Sequence, residues 1–179
     1  MSEPRGQPPR VEDVRRHLQD LREGAFEGAE SREDRIELFR RAVELLDPIV
    51  RAILAETNAA FLDGTGDVDL RPVSVEASGD AVAAWELSWP EQRRAANVRR
   101  GGAVPPIQVV AWFAAGFTHP HLRGSQAGTW PLQVTDERDA LRQEPIVRAI
   151  VEAELHERIF EGTWRIVPGD PSEDARPGG

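Results

Sequence analysis

DVDLRPVSVEASGDAVAAWELSW, residues 67–89, holds two β-prone runs joined by a turn, and it decides the class of the fold. Trp85, Leu87 and Trp89 alternate along the second run, which places their side chains on one face of a strand. The Ser-Gly-Asp sequence between the runs is typical of a hairpin turn. Pro72 has no N–H to donate, so the first strand is expected at a sheet edge or at a bulge. The stretch predicts a β-hairpin with one buried face.

Two further strands, a helix and a last strand are predicted after the hairpin. IQVVAWF (107–113) reads as a third strand, and WPLQV (130–134) as a short fourth strand after a loop at 116–128. Residues 135–161 are predicted to be helical, since PIVRAIVEAELHERIF within them has the apolar spacing of a helix that Pro145 opens and Gly162 stops. TWRIV (163–167) is expected to return as the last strand.

Helical periodicity dominates the chain before the hairpin, over residues 11–62. A 3-4-3 spacing places four apolar residues on one face of a first helix that ends near Gly24, namely Val11, Val14, Leu18 and Leu21. Ser31 is a candidate N-cap for a second helix, with an acidic residue three positions later. The region therefore predicts a pair of helices.

The second helix carries an apolar seam as regular as a short coiled coil, formed by Ile36, Phe39, Val43 and Leu46 and continued beyond them. A second apolar stripe lies beside the seam, so the helix is expected to pack between two partners. We expect the seam to form an oligomer or partner surface. Pro48 interrupts the pattern, and one kinked helix over 32–62 or two abutting helices fit it equally well.

These elements predict an α+β fold. The expected sheet is an antiparallel meander of four to five strands, with an N-terminal helical pair and a C-terminal helix packed on one face. Residues 11–168 would form this single domain. Residues 1–10 and 169–179 are rich in proline, glycine and charge without periodicity, which is typical of disordered tails.

Composition excludes several kinds of chemistry. The 179 residues include no cysteine, so disulfides, thiolate metal ligands and thiol nucleophiles are excluded. A net charge of −9 argues against binding to nucleic acid, because phosphates would be repelled on average. The arginines of residues 91–100 have no aromatic residue among them for base stacking. We interpret that segment as a solvated loop or a docking patch for an acidic partner.

No membrane-spanning segment or export signal is expected from this sequence. Its richest apolar run, IQVVAWFAAGF, is much shorter than the roughly 18 residues that a membrane span needs. The polar, proline-bearing start has no apolar region behind it. A cytoplasmic protein without a membrane partner is the expectation.

Histidines raise the question of a metal site. His119 and His121 alternate by two, which points both imidazoles to one side of an extended segment. His156 and Glu152 share one face of the last helix, so these four residues would make a first shell for zinc or iron. In the competing interpretation no cofactor is bound, His119 donates to a backbone carbonyl to fix the loop, and His121 is exposed.

No convincing catalytic group is present. Ser125 lies near the two histidines in sequence, but GSQAG lacks the Gly-x-Ser-x-Gly spacing of a nucleophile elbow. The last helix carries closely spaced carboxylates that are expected to form a solvated face, namely Glu152, Glu154, Glu157 and Glu161. We therefore assign no catalytic residue.

Short motifs between residues 48 and 160 resemble the ubiquitin-conjugating (UBC-like) fold. AWELSWP (84–90) is similar to a strand of that family that ends at proline, and a Pro-Pro pair follows at 105–106. THPHL (118–122) looks like the His-Pro-Asn loop, although His121 replaces the asparagine. GTWPL (128–132) falls where Gly-x-Ile-Cys-Leu would stand.

The resemblance implies an inactive variant that binds proteins. Pro131 stands where the family's thioester cysteine would be, so the chain would form no thioester. It would bind a protein partner, such as a ubiquitin-like protein or its activating machinery, and a homodimer is a further expectation. The partner-binding loop would comprise His119, Pro120, His121, Arg123, Ser125, Gln126, Trp130 and Pro131.

Overall fold

A computed structural model describes residues 9–125 and 128–168, which form the expected α+β fold. An N-terminal helical pair precedes a five-stranded sheet, and a long helix follows it. The elements are α1 (Pro9–Glu23), α2 (Arg32–Phe61), β1 (Asp67–Val75), β2 (Ala81–Ser88), α3 (Pro90–Arg94), β3 (Ile107–Phe113), β4 (His121–Arg123), β5 (Thr129–Pro131), α4 (Glu137–Arg142) and α5 (Glu144–Gly162). Within the described ranges, no helix combines the length and apolar character that crossing a bilayer requires.

The two N-terminal helices have well-defined ends. The Ser31 side chain accepts a hydrogen bond from the backbone N–H of Asp34, which caps α2 as the sequence predicts. α2 then runs unbroken through Pro48, so the single-helix alternative is the correct one. α1 starts at Pro9, two positions inside the tail predicted over 1–10. The rest of that tail and residues 169–179 lie outside the described residues.

The sheet is an antiparallel meander in the order β1-β2-β3-β4-β5. The hairpin pairs Leu70 with Trp85. β1 is one of the two edge strands, and its register shifts between Arg71 and Ser74, at the position of Pro72. The missing N–H of Pro72 accounts for both features, because no hydrogen bond between strands is lost when a proline lies at a sheet edge or at a bulge. The third strand occupies the predicted range.

The region after β3 departs from the expected loop. β4 lies inside the predicted 116–128 loop and pairs with both β3 and β5. β5 ends at Pro131, whereas the fourth strand was expected to continue to residue 134. The three-residue strands are too short to show an alternating pattern, which is why the sequence did not reveal β4.

The end of the domain also differs from expectation. The helix predicted over 135–161 is two helices, α4 and α5, joined at Gln143. The strand predicted over 163–167 is wrong, because Trp164–Ile166 form a turn of 3-10 helix. Thr163 has a φ of 66°, which no strand accepts. The indole N–H of Trp89 donates to the Ile166 carbonyl oxygen and so fixes the turn.

The hydrophobic core lies between the helices and one face of the sheet. Phe39, Val43 and Leu46 of α2 are buried in it, and Ile36 packs against it partly exposed. The seam therefore faces this chain's own sheet and α5, not a second molecule. The oligomer or partner surface predicted for these residues is thus corrected: a helix flanked by strands and helices of its own chain also needs a wide apolar arc.

Candidate functional site

Three histidines from different parts of the chain meet beside α1. His17 comes from α1, and His119 and His121 come from the segment that enters β4. The ring centroids of His17 and His119 are 4.4 Å apart, and those of His17 and His121 are 5.5 Å apart. We call these three residues the histidine cluster.

His119 is the buried member of the cluster, with 1% of its surface exposed. Its Nδ1 lies 2.8 Å from the Pro120 carbonyl oxygen, which can only accept, so Nδ1 carries the proton. Nε2 lies 3.4 Å from Oδ2 of Asp20 and has no hydrogen-bond partner among the described residues. Burial lowers the pKa of His119 to about 3, so the ring is neutral and its contact with Asp20 is no ion pair.

His121 is half-buried and completes the wall of a hollow of about 440 Å³. Burial, and then the charge of His17, lower the pKa of His121 to about 4. Phe117 and Leu21 form apolar parts of the same wall. Four buried polar atoms there have no partner in the described chain, namely His17 Nδ1, Thr118 Oγ1, His119 Nε2 and His121 Nδ1. The hollow can therefore accept a group that forms hydrogen bonds.

The metal shell predicted from His119, His121, His156 and Glu152 is not assembled. His156 and Glu152 are exposed on α5, where the His156 ring packs against Phe160. Across residues 9–125 and 128–168, no group of three or more histidine, cysteine, aspartate or glutamate side chains is placed to hold a metal ion. Sequence reasoning chose the third histidine by elimination and missed His17. The sequence signal that could have pointed to His17 is its position beside the apolar stripe of α1.

Ser125 belongs to a buried charge network on α5. Its hydroxyl lies 2.5 Å from Oε1 of Glu154, and Arg158 donates to both residues. Arg158 also binds Glu161 at 2.8 Å, and all three charged side chains are almost fully buried. Glycine suits position 124 because a Cβ there would lie only 2.8 Å from Glu154 Oε1, which is too close. Glu154 and Glu161 are therefore not part of a solvated face, and the network fastens this segment to α5.

Half of the predicted partner-binding loop lies in strands β4 and β5. His119 and Pro120 are buried, and Arg123 lies over the Trp112 ring at 4.5 Å. His121 pairs with Pro131 across β4 and β5, with Trp130 half-buried beside them. Gln126 lies outside the described residues. The segment offers less open surface than a loop would.

α1 turns its apolar face away from the domain. The four residues that share this face are between 41% and 50% exposed, namely Val11, Val14, Leu18 and Leu21. An amphipathic surface helix ordinarily buries such a stripe against the core. We call these four residues the α1 face.

The opposite side of α1 is polar and buried. Asp13 is 5% exposed and accepts hydrogen bonds from Arg142 and Gln143, at 3.2 Å each. Burial raises the pKa of Asp13. Arg16 binds Asp139 at 3.1 Å, and Asp20 is buried beside the histidine cluster. These polar contacts, not apolar packing, set the orientation of α1.

Comparisons of the chain with protein-family models, with curated proteins and with solved structures found no match.

Proposed function

We propose that this chain is a non-catalytic protein-interaction domain and that it binds its partner through the α1 face. The observation that carries the proposal is the outward row of four large apolar side chains. Single exposed apolar residues are common on protein surfaces, but a contiguous row marks an interaction site. Covering what remains exposed would contribute roughly 1 kcal/mol for each side chain.

The spacing of the row fits a specific mode of recognition. Val11, Val14, Leu18 and Leu21 occupy positions i, i+3, i+7 and i+10 of one helix. An amphipathic helix uses this spacing when it lies in an apolar groove of another protein. The buried contacts of Asp13 and Arg16 hold α1 with this row outward, so the helix is presented in advance of binding.

We also propose that the domain is an inactive relative of the UBC-like fold, on the strength of the sequence motifs. The pairing of His121 with Pro131 supports this, because these residues would stand for the family's asparagine and cysteine and they lie opposite each other on β4 and β5. Proline carries no nucleophile, so no thioester would form at that position. Under this second proposal a ubiquitin-like protein or its activating machinery would bind at the segment around His121 and Pro131, and the partner of the α1 face is left open.

Site-specific photo-cross-linking in the native cell tests the α1 face. We expect a cross-linker in place of Leu18 to trap one defined protein, and a cross-linker in place of Val98 to trap none. Val98 is the matched control, since it is a 65% exposed apolar residue outside the α1 face.

Binding of the trapped protein is then measured with purified components by titration calorimetry. Leu18→Asp is expected to weaken the affinity at least tenfold, because a carboxylate would be buried in an apolar contact. Val98→Asp should bind like the unmodified chain. Equal affinity of the Leu18→Asp variant would overturn the proposal.

A further inference from the structure

A second apolar surface lies on the other side of α4. α2, α4 and α5 enclose a groove of about 530 Å³ whose floor and walls include Leu45, Ile49 and Leu141. Leu141 is 61% exposed there. We call this hollow the α2–α4 groove. An apolar groove between helices is the kind of surface that receives the apolar face of another helix.

The rim of the α2–α4 groove is acidic. Four carboxylates line it against a single arginine, Arg148, which binds Glu56 at 2.6 Å and Glu144 at 2.9 Å. The acidic residues are Glu44, Glu56, Glu137 and Glu144. The groove therefore favours a helix whose apolar row is bordered by positive charge.

The α1 face has that border. Arg15 and Arg22 are exposed and follow Val14 and Leu21 directly in sequence, so they lie along one edge of the apolar row. α1 thus combines the two properties that the groove selects, an apolar row at helical spacing and a basic edge.

We propose that the α1 face of one molecule docks in the α2–α4 groove of a second copy of this chain. This inference rests on the proposed function and names the occupant that the proposed function leaves open. Contact between two α1 faces fits the charges less well, because Arg15 and Arg22 of both copies would line the same seam. The docking joins two different surfaces. It can therefore close, as a reciprocal dimer or a ring, or it can continue from copy to copy as an open chain of molecules.

The test uses two single changes at exposed positions of the full chain, followed by a mixing experiment. Leu18→Asp breaks the α1 face and leaves the groove intact, while Leu141→Asp breaks the groove and leaves α1 intact. We expect the unmodified chain to associate as concentration rises in sedimentation velocity, and each variant alone to stay monomeric. Circular dichroism checks that both variants keep the native helix content, and Val98→Asp should associate like the unmodified chain.

Mixing the two variants gives the decisive result. An equimolar mixture should form a complex of two chains, because one intact α1 can dock in one intact groove. Association of Leu141→Asp alone, with no gain on mixing, would show contact between α1 faces and overturn the proposal.

An unmodified chain that is monomeric at every concentration would also overturn it, including the case in which residues 1–8 or 169–179 of the same chain fill the groove. The proposed function would survive that result if the cross-linker at position 18 still trapped a different protein. If the chain stays monomeric and the cross-linker at position 18 traps no protein, the α1 face is rejected as a binding surface.

Discussion

His119 is the residue whose chemistry depends most on its surroundings. Phe26 and His17 pack against its ring with centroid distances of 4.7 Å and 4.4 Å. Its protonated form has no solvent to stabilise the charge, and for this reason the pKa falls to about 3. Burial has the same effect on His121 to a smaller extent and lowers its pKa to about 4.

These pKa shifts predict a fold that is destabilised by mild acid. Both histidines bind protons near pH 6.5 in the unfolded chain but only near pH 3 to 4 in the folded chain. The unfolded state therefore holds more protons between these values, and the free energy of unfolding falls as pH falls through that window. The slope is at most about 1.4 kcal/mol per pH unit for each histidine. Urea unfolding at pH 7.5, 6.0 and 5.0 measures it.

His119→Gln tests the assignment of this slope, since glutamine does not titrate. The variant should be less stable at pH 7.5 because the packed ring is lost, and its stability should depend less on pH. His156→Gln is the control, because that side chain is exposed on α5. A slope that His119→Gln leaves unchanged would show that other groups cause the acid sensitivity.

α5 owes its position to buried charge as well as to apolar packing. Arg158 is 1% exposed and lies between Glu154 and Glu161, at 2.5 Å and 2.8 Å, and its Nε donates to the Pro106 carbonyl oxygen. Removing one member of a buried ion network leaves the others unpaired in a region of low dielectric. The network thus joins α5 to the segments before β3 and after β4.

Arg158→Met is expected to lower the free energy of unfolding by about 3–5 kcal/mol at neutral pH, since two carboxylates lose their partner. Arg71→Met is the matched control: Arg71 binds Glu86 at 2.7 Å but is 64% exposed, so we expect a change within about 0.5 kcal/mol. Equal effects of the two changes in urea unfolding would contradict a stabilising role for the network.

Periodicity in the sequence predicted the helices and strands better than it predicted what each of them packs against. The hairpin at 67–89 and the strand at 107–113 were predictable because alternation and turn residues act locally. The strand predicted at 163–167 failed, since a long-range hydrogen bond from Trp89 decides that turn. The candidate site was hidden for the same reason: a stripe shows that α1 has an apolar face but not that buried Asp13 turns it outward.

The molecule as a whole divides into a core and an attached helix. Among the described residues, the hydrophobic core draws on α2, α4, α5 and the sheet, and no residue of α1 belongs to it. α1 is fastened by polar contacts with Asp139, Arg142, Gln143 and neighbouring groups. Elements with few buried apolar contacts have low local stability and can open while the core stays folded.

This division predicts that the chain folds without α1. A protein that starts at Ala25 should keep a single cooperative unfolding transition, with the buried Trp85 and Trp89 giving native fluorescence. We expect its free energy of unfolding to be lower by about 1–3 kcal/mol, because the partners of Asp13 and Arg16 become solvated instead of remaining buried and unpaired. Sedimentation velocity should find it monomeric.

The shortened chain and the Leu18→Asp variant distinguish two roles of α1, which are burying His119 and mediating association. Its stability should depend less on pH between 6.5 and 4, since removing α1 exposes His119 to water and returns its pKa toward the usual value. Leu18→Asp, by contrast, should lose association while it keeps the acid sensitivity, because α1 stays docked. A shortened chain that shows no cooperative transition would place α1 within the folding unit and contradict a core that is complete without it.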